Sequence, residues 1–512
     1  MEEEALHERT TADERLWLGI MAALAIAARI WLIFGFRIDS DEPQHLHVAC
    51  GWTHGFLPYR DVFDNHLPLL HVLFAPVMAL VPESSTAFTL MRLAIAPFAI
   101  ACAWLLFLFA RPWLGSRTAA VAALAFSVMP PWLPKSVEFR NDTLWIFFWL
   151  AGLALLTRRR GPAHLLAGIA FGLSLLASIK AVPLLLAHLL AIAVERRTID
   201  THAAARTVLG TAIPPLVCGL AAAAFGALDA MIYDTLLFNA AAPIPAARRI
   251  GGAVTFAVIG VITFYLARRR PRPGNIGTHL GFFAFWYATL LLGFWPILTA
   301  RDFLPLVPLA GLALAIALRD VPVRRALAAA VLGGIATALL YARVWRPADV
   351  TREEFVDQTV GLTAPGDYVL DLKGDAIFRR RPIYYIYEDV GRALTASGSL
   401  PDRGPEQIAA TGCCAAMCDS PHLPPRTRAF LNQHFIGSGP LRVCGAEITG
   451  TAFDVAVPQT YAVETGAPEQ VRIDGTPYRG PRRLSAGRHT IDRGGNPRVT
   501  VLWWRAAAKE NV

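Results

Sequence analysis

Long apolar runs separated by short polar segments fill the first two-thirds of the chain. A hydrocarbon core about 30 Å thick needs roughly 20 apolar residues for each helical crossing. The run over 162–194 is too long for one crossing and is interrupted by Lys180 and Pro183, so we divide it into a hairpin. The pattern then predicts about eleven membrane-spanning helices, at 16–36, 86–110, 118–134, 143–157, 162–179, 181–194, 207–227, 250–267, 278–297, 302–318 and 326–345.

Basic residues mark alternate loops between these predicted helices, and such loops are cytoplasmic by the positive-inside rule. The N-terminus is then cytoplasmic, and everything after about residue 346 is periplasmic. The apolar stretch 67–82 is predicted to be an interfacial or re-entrant segment, because counting it as a crossing would reverse the loops. The clusters are Arg111 with Arg117, Arg158 to Arg160, Arg196 with Arg197 and Arg206, "RRRPR" at 268–272, and Arg319 with Arg324 and Arg325.

The last third of the chain is more polar, and its apolar residues alternate with polar ones. That period is typical of β-strands, which we predict at 365–372, at 381–389 and in a small β-rich module over about 450–507. The chain therefore divides into a transmembrane module at 1–345 and a periplasmic α/β or β-rich domain at 346–512.

Four of the seven cysteines lie in this second domain. An even number outside the cytoplasm favours disulfides, and a zinc site stays a less favoured alternative because the spacing in "CCAAMC" is poor for zinc ligands. The pairing stays open among Cys413, Cys414, Cys418 and Cys444.

Composition agrees with a membrane protein, since 54% of the residues are hydrophobic and 17% are charged. The formal charge of +9 comes as short clusters between apolar runs rather than as one basic patch. That distribution indicates membrane orientation and gives no support for nucleic-acid binding.

The stretch "RIDSDEPQHLHVACGW" (37–52) places two acids, Asp41 and Glu42, directly after the first predicted helix. Ser40 and Asp41 fit helix caps for a short helix beginning near Pro43. The same acids, outside the membrane, also fit a catalytic pair. Position alone does not separate the two interpretations.

An apolar helix, the Asp-Glu pair, "LPYRDVFD" (57–64) and a proline-bearing apolar segment follow one another here. This order resembles the first periplasmic loop (37–85 here) of the GT-C superfamily of membrane glycosyltransferases, which includes protein O-mannosyltransferases and bacterial aminoarabinose transferases acting on lipid A. The resemblance covers about residues 16–320. It implies the GT-C fold and transfer of a hexosyl or pentosyl group, with inversion, from a polyprenyl phosphate carrier. It also implies a location in a bacterial inner membrane.

Three further segments are similar to the family in the same order: "EFRNDTLWIFF" (138–148), "ASIKAVPLLL" (177–186) and "TARDFLPLVPLAGLALA" (299–315). One departure is at 66–69, where relatives often have Lys-Pro-Pro-Leu and this chain has "HLPL". His66 takes the place of a lysine that would contact the carrier phosphate.

Glycosyl transfer from a lipid phosphate needs a base for the acceptor and cations for the departing phosphate. The resemblance makes Asp41 the base, with Glu42 orienting it. Lys180, Arg301 and Arg140 are the predicted phosphate-binding cations, together with His66, because they fall on the predicted outer side. Each of the three long cations also fits a side chain that snorkels at a helix end. Candidate substrate-binding residues are Tyr59, Asp61 and Asp142, the last of which also fits a helix N-cap.

Five histidines occur in the first outer loop, but their spacing matches no zinc pattern. We expect no required metal or other cofactor, although a divalent cation near Asp41 and His45 stays an alternative. The chain carries no glycine-rich phosphate loop or nucleotide fingerprint, which fits a lipid-linked donor.

The sequence thus predicts a polytopic α-helical protein of the GT-C fold that moves a sugar to a periplasmic glycan, lipid or protein. Two other classes stay open. A transporter or flippase for a lipid-linked glycan would place charges near the membrane midplane, often in two related halves. A non-catalytic scaffold would bind glycan through the aromatic residues of its outer domain.

Overall fold

The computed structural model describes residues 11–158, 161–195, 200–241, 276–295, 298–345, 351–437 and 439–508, with scattered positions between 250 and 261. The predicted helix at 250–267 and the "RRRPR" run lie outside the continuously described ranges, as do Arg159, Arg160, Arg196 and Arg197.

The chain forms two compact units. The first consists of Met1–Glu42, Asp64–Val77 and Thr89–Ala348, and the second of Pro43–Phe63, Met78–Phe88 and Asp349–Val512. Two short pieces of the predicted first periplasmic loop therefore belong to the unit that holds the C-terminal sheet.

Helices account for most of the structure up to residue 345. They are α1 (Ala12–Gly35), α2 (Glu42–Thr53), α3 (Leu69–Met78), α4 (Thr86–Val128), α5 (Trp132–Lys135), α6 (Asn141–Leu156), α7 (Gly161–Ala177), α8 (Ala181–Glu195), α9 (Thr201–Ala224), α10 (Leu228–Ile232), a π-helical turn (Tyr233–Leu237), α11 (Phe238–Ala240), α12 (Ile276–Phe294), a 3₁₀ turn (Ala300–Phe303), α13 (Leu306–Ala317) and α14 (Val323–Ala342).

Within the described ranges, five helices are long and apolar enough to cross a membrane. They are α1, α4, α9, α12 from Gly277 onward, and α14. Helices α3, α6, α7, α8 and α13 are apolar but shorter, with 10–17 residues each. The polytopic membrane character is therefore clear, whereas the number of crossings and the path of α3 stay predictions.

Two helix boundaries differ from the predicted ones for local reasons. Helix α1 begins earlier, because Thr11 and Glu14 form a reciprocal capping box at its N-terminus. The two predicted helices at 86–110 and 118–134 form one run with a break at Gly115, whose φ of 76° suits glycine. That run ends at Val128, before Pro130 and Pro131, which cannot continue it.

Helices α7 and α9 pack closely through glycines. A Cβ atom at Gly168 would lie 2.1 Å from the backbone oxygen of Thr207, and one at Gly210 would lie 2.3 Å from that of Leu165. Small residues of this kind let helix backbones approach in a membrane, where apolar surface alone gives little driving force.

The second unit contains a seven-stranded sheet of order β1-β2-β4-β11-β6-β9, with β3 on β4, and a four-stranded sheet of order β5-β10-β7-β8. Its strands are β1 (Val369–Leu370), β2 (Ala415–Met417), β3 (Phe435–Ile436), β4 (Leu441–Ile448), β5 (Ala452–Val455), β6 (Gln459–Glu464), β7 (Arg472–Ile473), β8 (Thr476–Pro477), β9 (Arg482–Leu484), β10 (Gly487–Asp492) and β11 (Val499–Trp503). Its helices after residue 345 are α15 (Thr351–Leu362), α16 (Asp389–Ala396), α17 (Gly404–Thr411), α18 (Pro425–His434) and α19 (Trp504–Ala507).

The strand predicted at 381–389 is wrong, because that segment is irregular. The guanidinium of Arg381 donates to the backbone oxygens of Leu372 at 3.0 Å and Tyr385 at 3.2 Å. A side chain thus satisfies carbonyl groups that a neighbouring strand would otherwise pair.

One disulfide lies within the seven-stranded sheet. It joins Cys414, just before β2, to Cys444 on β4, with the Cα atoms 4.8 Å apart. Cys413 and Cys418 are buried free thiols. The bond connects two neighbouring segments of the sheet, although the two cysteines are 30 positions apart in the chain.

We predict that Gly210→Ala lowers the free energy of unfolding by about 1–3 kcal/mol, because the methyl group of alanine would push α7 away from α9. The midpoint of thermal unfolding in detergent should fall accordingly. Gly219→Ala on the same helix is the control, since no atom lies within 4 Å of its Cβ position. Alanine there should leave stability unchanged or raise it. Equal midpoints for the two variants would contradict the close packing.

Candidate active site

Arg92 on α4 fixes the turn that carries the Asp-Glu pair. Its guanidinium donates to both carboxylate oxygens of Glu42, at 2.7 and 2.5 Å. It also donates to the backbone oxygens of Phe36 at 2.7 Å and Arg37 at 2.9 Å. The end of α1 and the start of α2 are therefore held by one buried side chain.

Glu42 is fully buried and accepts hydrogen bonds from the backbone as well. The N–H of Phe139 lies 3.0 Å from one oxygen and the N–H of Asp39 lies 2.8 Å from the other. A carboxylate with this many donors is an anchor for the loop that follows α1. This geometry suits the orienting part predicted for Glu42, which stays a prediction.

Asp41 lies beside Arg140, and the two side chains form an ion pair. Arg140 directly precedes α6 and also contacts Asp39 at 2.6 Å and Asp142 at 3.2 Å. One guanidinium thus bridges the loop after α1 and the first turn of α6.

Arg301 lies in the 3₁₀ turn before α13 and joins the same carboxylates. Its guanidinium contacts Asp39 at 2.6 Å, Asp142 at 3.2 Å and Glu138 at 2.5 Å. The turn itself is built by Asp302, whose carboxylate accepts from the backbone N–H of Thr299 at 2.7 Å. The position of Arg301 is therefore set by local capping.

Lys180 reaches these carboxylates from the connection between α7 and α8. Its ammonium lies 3.1 Å from Asp302 and 3.6 Å from Asp142. Lys135 at the end of α5 completes the set, 3.0 Å from Glu138 and 3.8 Å from Asp39. We call this set of linked ion pairs the charge network, and its members are Asp39, Asp41, Lys135, Glu138, Arg140, Asp142, Lys180, Arg301 and Asp302.

The members of the charge network fall into a buried group and a solvent-accessible group. The side chains of Glu138, Asp142 and Asp302 are 1% exposed. By contrast, Asp41 is 28% exposed, and Asp39 and Lys180 are 19% exposed. A substrate would therefore meet Asp41, Asp39 and Lys180 first.

The two carboxylates beside Arg301 differ in protonation. Burial would raise the pKa of Asp39, but the ion pairs with Arg140 and Arg301 outweigh it and lower that pKa to about 2. Burial raises the pKa of Glu138, although Arg301 beside it opposes the shift. Asp39 is thus a persistent anion and a weak base, whereas Glu138 is the carboxyl that gains a proton more readily.

His66 lies in a separate hydrogen-bonded turn of the first unit. Its Nδ1 is 3.0 Å from the buried carboxylate of Asp64, and Nδ1 of His71 is 3.1 Å from the same carboxylate. The turn is tied down because the side-chain amide of Asn239 donates to the backbone oxygen of Asn65 at 2.8 Å. The ring of His66 is therefore oriented by Asp64.

Tyr59 and Asp61 belong to the second unit. Tyr59 is buried with a φ of 68°, and its backbone oxygen accepts from the hydroxyl of Tyr384. Asp61 pairs with Arg60 at 2.8 Å and accepts from the backbone N–H of Leu57 at 2.9 Å. Both residues shape a tight turn, and their assignment to substrate binding stays a prediction.

Sequence reasoning missed several members of this site. Asp39 and Glu138 each precede a predicted site residue by two positions, and Asp302 directly follows another. Arg92 lies inside a predicted helix, where an intramembrane arginine is itself a signal for a buried partner. A prediction that included the charged neighbours of the motif residues would have identified most of the network.

Side chains of the types that bind metals are not grouped in the described part of the chain, and the expectation that no metal is required stays a prediction. No three His, Cys, Asp or Glu side chains there converge on a point that could hold a metal ion. Cations from side chains already face the carboxylates of the charge network.

The fold is that of the GT-C membrane glycosyltransferases, a helical membrane module followed by a sheet domain. The predicted resemblance to this superfamily is confirmed. Residues 65–218 match the family described as dolichyl-phosphate-mannose-protein mannosyltransferase.

Two solved structures of ArnT from Cupriavidus metallidurans are similar to this chain. The apo structure has a TM-score of 0.59 at 12% identity and covers 84% of this chain and 98% of its own. The structure bound to undecaprenyl phosphate has a TM-score of 0.57 at 12% identity and covers 83% and 97%. A comparison with curated protein sequences gave no match.

We predict that Glu42→Gln destabilises the protein, because it leaves Arg92 buried without its anionic partner. Breaking a buried ion pair in this way lowers the free energy of unfolding by about 3 kcal/mol or more. Chemical unfolding in detergent measures this. Glu406→Gln, which removes the exposed pair with Arg426, should unfold nearly as wild type does. Wild-type stability of Glu42→Gln would rule out the anchoring role.

Proposed function

We propose that this membrane protein is a glycosyltransferase that moves a hexosyl or pentosyl group, with inversion, from a polyprenyl phosphate carrier to a glycan, lipid or protein. The reaction takes place at the periplasmic face of a bacterial inner membrane, with the N-terminus in the cytoplasm. The observation that carries the proposal is the charge network, in which an accessible carboxylate, Asp41, pairs with Arg140. Through Asp39 and Asp142, Arg140 is linked in turn to Arg301 and Lys180.

Asp41 is the group best suited to accept the proton of the acceptor. Its carboxylate is the most exposed of those in the charge network. Asp39 is less suited, since its low pKa makes it a poor proton acceptor. As the acceptor oxygen attacks the anomeric carbon, its proton passes to Asp41, and attack from the opposite face inverts the configuration.

The cations act on the other end of the reacting bond. The bond between the anomeric carbon and the phosphate oxygen breaks, and its electron pair stays on the departing polyprenyl phosphate. Lys180, Arg140 and Arg301 are held at fixed positions before the reaction, so they stabilise that charge without reorganising. His66, oriented by Asp64, would add a donor where relatives have a lysine.

Phosphate binding requires these cations to exchange part of their carboxylate contacts. Lys180 is accessible enough for such an exchange. Protonation of Glu138 would remove one competing negative charge from Arg301 when the phosphate arrives. We propose that side-chain cations alone hold the phosphate and that no metal is required.

The similarity to ArnT bound to undecaprenyl phosphate supports a lipid-linked donor for this chain as well. The matched mannosyltransferase family, named for a dolichyl phosphate sugar, supports the same class of donor. Incubating the purified protein with undecaprenyl phosphate sugars and envelope extracts, and measuring released undecaprenyl phosphate, tests the proposal. A protein that translocates the lipid without releasing it would be a flippase.

We predict that Asp41→Asn lowers turnover by roughly two to four orders of magnitude while donor affinity changes little. Asparagine keeps the size and most of the capping ability of aspartate, but it cannot take up a proton. Initial rates at saturating donor measure the effect.

The matched control is Asp229→Asn, an exposed aspartate in the first turn of α10. Its rate should equal that of the wild type. Near-normal transfer by folded Asp41→Asn protein would refute the assignment of Asp41 as the general base, and Asp41 would then be only a helix cap.

A further inference from the structure

A cavity of about 320 Å³ lies within the second unit, and it plays no part in the chemistry described above. It lies between the C-terminal end of α2 with the following turn and the irregular segment around 365–384. Cavities of this size are large enough for a small polar ligand.

Three consecutive arginines line the cavity, and two of them form ion pairs and hydrogen bonds with other groups of the protein. Arg379 contacts Glu83 at 2.7 Å and donates to the hydroxyl of Thr363 at 2.7 Å. Arg381 contacts Asp371 at 2.7 Å and caps backbone carbonyls. Both side chains therefore have structural partners.

Arg380, between them, is exposed and held differently. Its guanidinium lies 4.7 Å from the ring centre of Phe56 and 5.0 Å from that of Tyr368. Its backbone is fixed because its carbonyl oxygen accepts from the N–H of Val369 at 2.9 Å. None of the hydrogen bonds and ion pairs described in the structure uses its guanidinium.

Aromatic contacts of this kind position a guanidinium without using its N–H groups. The donors along the edge of Arg380 therefore stay available, in the planar arrangement that binds carboxylate or phosphate through two hydrogen bonds. Asp61 also lines the cavity and interacts electrostatically with Arg380. Its carboxylate oxygens accept hydrogen bonds from Arg60 and from the backbone N–H of Leu57 rather than from Arg380.

The remaining wall is aromatic and polar. Phe63 and Tyr384 line it, with ring centres 5.5 Å apart in an edge-to-face arrangement. His54 is exposed at the same cavity. Aromatic rings pack against the C–H faces of sugars, whereas histidine and arginine bind their oxygens.

From these features we propose that the cavity binds a saccharide unit bearing a carboxylate or phosphate group, with Arg380 as the anion-binding residue. The proposal does not depend on the transferase activity, because it concerns binding within the second unit alone.

The test measures binding of three probes to the full-length protein in detergent by ligand-observed NMR: methyl glucuronide, glucose 6-phosphate and methyl glucoside. The first two separate carboxylate from phosphate recognition, and the third lacks charge. We expect saturable binding of at least one anionic probe, and binding at least tenfold weaker for the neutral one, as charge-assisted hydrogen bonds imply.

Arg380→Gln should weaken anionic binding about tenfold or more and remove the preference over methyl glucoside. Arg380→Lys, which keeps the charge but loses the planar edge, should fall between. Arg426→Gln, a change at an exposed arginine outside the cavity, should bind as wild type does. Equal binding of charged and neutral probes, wild-type affinity in Arg380→Gln, or no saturable binding of either anionic probe to wild type would overturn the proposal.

Discussion

The buried carboxylate of Asp142 sets the arrangement of the charge network. Its side chain is 1% exposed and contacts Arg140, Lys180 and Arg301. A buried anion is tolerated only when nearby cations offset its lost hydration. Those three cations come from the start of α6, the connection between α7 and α8, and the turn before α13. Segments far apart in the chain are therefore held together by one electrostatic requirement.

The same requirement explains how side-chain cations could be arranged in advance to hold a lipid phosphate. Cations that neutralise buried carboxylates are already dehydrated and fixed in place. The accessible members, Asp41 and Lys180, carry opposite charges. The carboxylate of Asp41 suits a proton acceptor, and the ammonium group of Lys180 suits the binding of an anionic phosphate. The ion pair between Arg92 and Glu42 holds the turn that carries Asp41.

Much of the site could be predicted from sequence because membrane orientation restricts where charges fall. The alternating arginine clusters predict that four site residues lie on one side of the membrane: Asp41, Arg140, Lys180 and Arg301. The structure brings these four residues into one network. Asp39, Glu138 and Asp302 were missed although each is close in sequence to a predicted residue, because the cations that mark them as part of the site, such as Arg301 and Lys180, lie on other segments. The strand predicted at 381–389 was wrong for a related reason, since Arg381 satisfies backbone carbonyls that sequence patterns assign to a neighbouring strand.

The most direct measurement is the affinity of the purified protein for undecaprenyl phosphate, compared between wild type and Lys180→Ala. Arg343→Ala is the control, because Arg343 is an exposed cation at the end of α14 on the same predicted side and outside the charge network. If Lys180 contacts the carrier phosphate, its loss should weaken binding roughly tenfold to a hundredfold, and Arg343→Ala should bind as wild type does. Unchanged affinity in folded Lys180→Ala protein would contradict the assignment of the charge network to the donor phosphate.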